Sequence, residues 1–245
     1  MKDILVGLFG YIASLCIAVA AALLQNQLVF TIAICLFLFV LLVSLVNKTK
    51  FGKKTLLYLR GIYWSFRLKK AGKRLTVGEK VQFFSPKKIT FGDNCDIAQN
   101  VVFAPLNTRH GENYPSKIIV GNGVHFGAFD RIASMNEVRI DDNVLFAAFV
   151  HVTDHSHQYE DPNVPVTHQG VFSKGPVHIK EGAWLAFGCH ILSGVTVGKN
   201  SVIAANSVVT KDVPDYTVVA GNPARIISRY NFETMKWERC KNDKK

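Results

Sequence analysis

Thr153-Asp154-His155-Ser156-His157 is the stretch of this chain whose side chains are best suited to moving a proton. An imidazole changes charge near neutral pH, and a histidine fixed where a regular strand gives way to a loop is a natural general base. His155 and His157 are therefore the candidate catalytic residues. They open a longer run, Thr153–Gly175, that is rich in His, Asp and Pro. Taken alone, such a loop is more simply read as carrying solvent-facing histidines. Other chemistries find less support. Cys16, Cys35, Cys95, Cys189 and Cys240 show no paired spacing and read as packing thiols in a reducing compartment. A zinc site needs three imidazoles converging on one ion, and no metal is expected from His151, His155 and His157.

The elements that must position these histidines announce themselves downstream. Ile179, Leu185, Ile191, Val197, Ile203 and Val209 recur at every sixth residue. That period fits neither a helix, at 3.6, nor a half-buried strand, at 2.0. Four residues after each of the first five stand Ala183, Cys189, Val195, Ser201 and Ser207, nearly all small. This is the hexapeptide signature of a parallel β-helix: the large residue fills the axis and the small one sits near a crowded corner. Weaker matches run back through Val152, Phe146, Ile140, Phe126 and Val120, then Phe103, Ile97 and Phe91, towards Val77 and Leu75. Insertions at 105–116 and 153–175 interrupt them. At eighteen residues per coil, six to seven coils fit between Leu75 and Ile227. Breaks in a regular solenoid are where function can be installed, which returns attention to Thr153–Gly175. Flat faces of such a prism tend to associate, so a homotrimer is expected.

The chain is 245 residues long and 49% hydrophobic, with the excess at its start. Ile4–Leu24 and Leu28–Val46 are uncharged runs of 21 and 19 residues, each long enough to cross a bilayer. Together they predict an N-terminal transmembrane α-helical hairpin. Ten basic residues and no acidic one lie between Asn47 and Arg74. They place that end in the cytoplasm and supply ten of the net charge of +11. The expected location is a bacterial inner membrane, crossed twice, with the catalytic domain cytoplasmic. The basic charge then speaks for membrane lipids as partners, and no nucleic-acid motif is present. Thr55–Lys70 mixes aromatic and basic residues, as suits a helix in an anionic membrane interface or a linker helix packed on the domain that follows. The expected organisation is a hairpin over 1–47, a basic amphipathic linker over 48–74, an all-β domain over 75–227 and a short helix or tail over 228–245.

From about Phe126 to Ile227 the chain resembles the hexapeptide acyltransferases, especially the maltose- and galactoside-type sugar O-acetyltransferases. The likeness rests on Ile140-Asp141-Asp142-Asn143-Val144, on Val150 through His155, on Gly194-Val195-Thr196-Val197-Gly198, and above all on VVTKDVPDYTVVAGNPARII at Val208–Ile227. The hairpin lies outside the soluble members' pattern and is similar instead to membrane-attached enzymes that decorate bacterial surface glycans. The resemblance implies a left-handed parallel β-helix and acetyl-CoA as acyl donor, with a sugar or lipid-linked glycan as acceptor. It puts His155 on the catalytic histidine, with a two-residue shortening that keeps His157 as an alternative. It puts Asp130 near a position that holds the acceptor hydroxyl. Ala205, Thr210, Lys211 and Arg225 match positions lining the CoA groove. Trp184 and Phe187 fall where the pantetheine arm passes, although Phe187 replaces a small residue. An amino-sugar N-acetyltransferase and a non-enzymatic membrane-tethered scaffold are the alternatives.

Overall fold

The structure, a computed structural model, describes residues 49–109 and 111–240, together with Ile34. The chain divides into two compact units, Met1–Leu56 and Leu57–Lys245. In the larger unit short strands visit three sheets in turn, and each strand pairs in parallel with those one coil below and above. The offset between partners is the repeat itself: Ile179 pairs with Val197, Leu185 with Ile203 and Ile191 with Val209, eighteen residues apart. All six residues of that periodic run are at most 1% exposed. The small residues between them are as deeply buried. Period six is thus the geometry of a three-faced coil, with one inward aliphatic per face. Each such side chain contributes about 1.5–3 kcal/mol by leaving water.

At the N-terminal end the axis is aromatic. Phe83 stacks on Phe103 with centroids 5.0 Å apart, and Phe126 stacks on Phe146 at 4.8 Å. Within the larger unit, the C-terminal part of helix α1, Lys50–Ser65, meets the first coil through Gly61 and Trp64. Trp64 lies 4.6 Å from the Phe83 ring, and a Cβ at Gly61 would fall 1.9 Å from the Leu75 carbonyl oxygen, so only glycine allows that approach. Leu59, Ile62 and Tyr63 on α1, and Phe66 just after it, stay exposed.

The histidine-bearing face is a six-stranded sheet ordered Gln82–Phe83, Val102–Pro105, Arg131–Ser134, His151–Thr153, His190–Ile191 and Val208–Val209. Alternation sends Phe103, Ile132, Val152 and Ile191 inward. It leaves Arg131, His151 and His190 in register on the outside.

Two expectations are corrected. Among the described residues no helix is long and apolar enough to cross a membrane, which overturns the two-pass inner-membrane placement with a cytoplasmic catalytic domain. The runs Ile4–Leu24 and Leu28–Val46 of the expected hairpin lie outside the described residues. At the other end, where a short helix or tail was expected over 228–245, the described residues form a hairpin. Ala224–Asn231 pairs antiparallel with Thr217–Gly221 and with Lys236–Arg239. Its β-branched and aromatic residues extend the open edge of a sheet that otherwise had no partner there.

Candidate active site

His155 stands just past the end of the His151–Thr153 strand, where the chain leaves the coil. Continuing the strand's alternation turns Asp154 inward, and it is 0% exposed. Its carboxylate accepts hydrogen bonds from the Met135 N–H at 2.6 Å and the Asn136 N–H at 2.7 Å. The same Oδ1 that faces Met135 lies 3.1 Å from His155 Nδ1. A carboxylate so fixed accepts the Nδ1 proton and leaves Nε2 as the basic nitrogen. Below, the Asp154 carbonyl accepts from Ser193 Oγ at 2.6 Å, tying the insertion to the next coil. His155 is thereby aimed as well as placed.

Two cavities open beside this ring. One, of about 280 Å³, is lined by Thr153, His155, Phe172, Lys174, Ser193 and Thr210. The other, of about 440 Å³, includes Asn107, Arg109, Arg131, His155 and His157 in its wall. His155 belongs to both. No Asp or Glu lines either cavity. His157 is exposed within the two-stranded ladder of Ser156–His157 with Val171–Phe172, and it has no carboxylate partner among the described residues. His151, behind His155, is held down to about 4 by burial and then by the neighbouring charges of His190, Arg131 and His155, so it stays neutral at pH 7.

The other sequence candidates divide by position. Thr210 joins His155 in the smaller cavity, and Lys211 follows it as an exposed residue. Trp184 lies on a different face, 46% exposed. Phe187 and Ala205 are exposed at a corner, where Phe129, Phe149 and Phe187 form an aromatic column. Phe129 and Phe149 hold positive φ there, a costly conformation for a bulky residue. Arg225 is exposed in the C-terminal hairpin. None of Trp184, Phe187, Ala205 and Arg225 lines either cavity beside His155. Among the described residues, no three His, Cys, Asp or Glu side chains are grouped to hold a metal.

Asp130 is inside the coil, 0% exposed, with one carboxylate oxygen accepting from the Val150 N–H at 2.8 Å and the other unpartnered. It is out of reach of an acceptor sugar. Burial raises it to about 8, and the Cys189 thiol, buried nearby, is pushed up to about 12. The folded chain therefore keeps the Asp130 proton up to about pH 8, while the unfolded chain releases it near its ordinary value of 3.8. Stability must fall as pH rises through that window, by up to about 1.4 kcal/mol per unit. His151 acts with the opposite sign, but only below its ordinary 6.5. Between pH 6.5 and 8 the Asp130 slope stands clear, and Asp130→Asn is expected to flatten it in urea denaturation. The new amide shifts stability by a pH-independent offset, so identical slopes for both proteins would contradict the assignment.

The family description "Bacterial transferase hexapeptide (six repeats)" matches residues 176–211. A relative from Escherichia coli K12, named as a lipopolysaccharide biosynthesis O-acetyl transferase, WbbJ, is 36% identical over 149 residues. The match covers 53% of this chain and 76% of the relative. The chain belongs to the hexapeptide-repeat acyltransferases. The galactoside O-acetyltransferase of Escherichia coli K12 is 34% identical over 160 residues, 64% of either chain. Among solved structures, AntD, an N-acyltransferase from Bacillus cereus in complex with dTDP and 3-hydroxybutyryl-CoA, superposes with a TM-score of 0.60. At 17% identity, over 71% of this chain and 90% of AntD, that likeness shows the shared fold alone.

For a hexapeptide-repeat acyltransferase, sequence reasoning missed the residue that aims the histidine. Asp154 had a signal: it is a charged residue at an inward position of the alternation Val150, Val152, Asp154. Arg109, Arg131 and Lys174 carried none, because their convergence depends on which coils the two insertions lie over.

Proposed function

We propose that the protein transfers the acetyl group of acetyl-CoA to a hydroxyl of a sugar in a glycan or glycan precursor. The observation that carries this is the His155 ring, oriented by a buried carboxylate and shared by two cavities. In this reading the thioester enters the cavity of Thr210 and Ser193, with Lys174 adding positive charge, and the acceptor enters the cavity of His157. Nε2 takes the proton of the acceptor hydroxyl as its oxygen attacks the thioester carbonyl. The tetrahedral adduct then collapses, the C–S bond breaks, and the imidazolium returns the proton to the departing thiolate. The products are the acetyl ester and CoA. Nothing covalent forms on the enzyme, so catalysis rests on alignment and on base strength.

Trp184, Phe187, Ala205 and Arg225 fit the same reading if copies associate. A homotrimer, wound from left-handed coils, would set the corner of one copy beside the His155 face of its neighbour. The exposed column of Phe129, Phe149 and Phe187 supports such a contact, since apolar patches of this kind commonly mark interfaces. The deciding experiment follows thiol release from acetyl-CoA with a panel of nucleotide sugars and lipid-linked glycans, and identifies the product by mass. Thiol release that no sugar stimulates would overturn the transferase reading.

A further inference from the structure

The larger cavity beside His155 is cationic, in a way that an acceptor bearing only hydroxyl groups does not call for. Two guanidinium groups enter its wall from separate elements. Arg131 comes from the central strand of the histidine face, and Arg109 from the small hairpin Thr108–Arg109 with Glu112–Asn113. The wall contains no carboxylate. Arg131 forms no ion pair among the described residues, and its charge helps to keep His151 neutral. Arg109 stands opposite Glu112 in its hairpin, yet Glu112 Oε2 instead accepts from the Tyr114 hydroxyl at 2.9 Å. The Arg109 Nε is buried with no hydrogen-bond partner. A buried N–H left unpaired is unfavourable, which is a standing demand for an acceptor atom.

Resting on the reading of this cavity as the acceptor side, we propose that the acceptor sugar carries an oxyanion, a carboxylate or a phosphate ester, held by Arg109 and Arg131. The fork of a guanidinium matches two oxygens of either group, and Nε with one terminal nitrogen is one of its bidentate edges. Anchoring the anion here leaves the sugar's hydroxyls within the cavity that His155 also lines. A charged hydrogen bond of this kind contributes about 1.5–3 kcal/mol, or roughly 10- to 150-fold in affinity.

The test compares matched methyl glycosides: a neutral hexoside, its 6-carboxylate and its 6-phosphate. Transfer is read as kcat/KM for thiol release, and binding without acetyl-CoA is read by calorimetry. The expected result is a preference of at least tenfold for one anionic glycoside over the neutral one in both readouts. Whichever of carboxylate and phosphate is favoured names the source of the anion. Arg131→Gln and Arg109→Lys are expected to collapse that ratio. Arg131 is exposed, so its replacement leaves the fold intact. A neutral hexoside that binds and reacts as well as both anions overturns the proposal while leaving the transferase reading standing. Anion-selective binding that responds to both arginines, without transfer to any sugar, sustains the anion site and sinks the transferase reading.

Discussion

His155→Ala lowers kcat for acetyl transfer by about 10²- to 10⁴-fold, the span expected when a positioned general base is removed. Its side chain is 19% exposed and lies outside the hydrophobic core cluster, so the melting temperature should move little. The companion variant separates two readings of the same loop. His157 lines only the larger cavity, and its replacement by Ala is expected to raise the acceptor KM more than it lowers kcat. If His157→Ala abolishes turnover while His155→Ala does not, the roles are exchanged. Stopped assays of thiol release at saturating acetyl-CoA, with acceptor varied, give both parameters.

Asp154→Ala carries the second large effect, and it acts on two levels. The carboxylate is the partner of the Met135 and Asn136 N–H groups at a fully buried position. Removing it orphans both donors, at about 1–3 kcal/mol each, so the melting temperature falls by several degrees. His155 also loses the acceptor that fixes its tautomer. The expected kinetic signature is a kcat reduced by roughly 10²-fold with acetyl-CoA KM little changed, because Asp154 positions the base and touches no substrate. Asp154→Asn sharpens the test. Its amide restores one acceptor but presents an N–H to a site that needs acceptors on both sides, so stability recovers in part and kcat does not. Full activity in Asp154→Asn would mean that the ring needs no anionic partner.

These effects show which parts of the protein were legible one residue at a time. The solenoid was, because its core is a one-dimensional rule: Ile179, Leu185, Ile191, Val197, Ile203 and Val209 each fill the axis at a fixed step, and each is essentially unexposed. His155 was legible as a candidate for a related reason, since it sits where that rule breaks. Asp130 was misread as a substrate contact because it occupies the small, inward corner position, where burial, not the acceptor, sets its protonation. The strand conformation of the C-terminal segment was not legible, because it is decided by the sheet edge it joins, which local sequence does not reveal.

The coil, its eighteen-residue pitch and the insertion that carries the candidate base His155 are readable from the chain alone, since all three follow from periodicity and from its interruption. What surrounds His155 depends on how the coils stack. Asp154 meets Met135 and Asn136 because winding stacks residues one coil apart, and Arg109 and Arg131 line one cavity because an insertion lies over that coil. The distance between such residues is set by the coil and not by anything that either residue encodes.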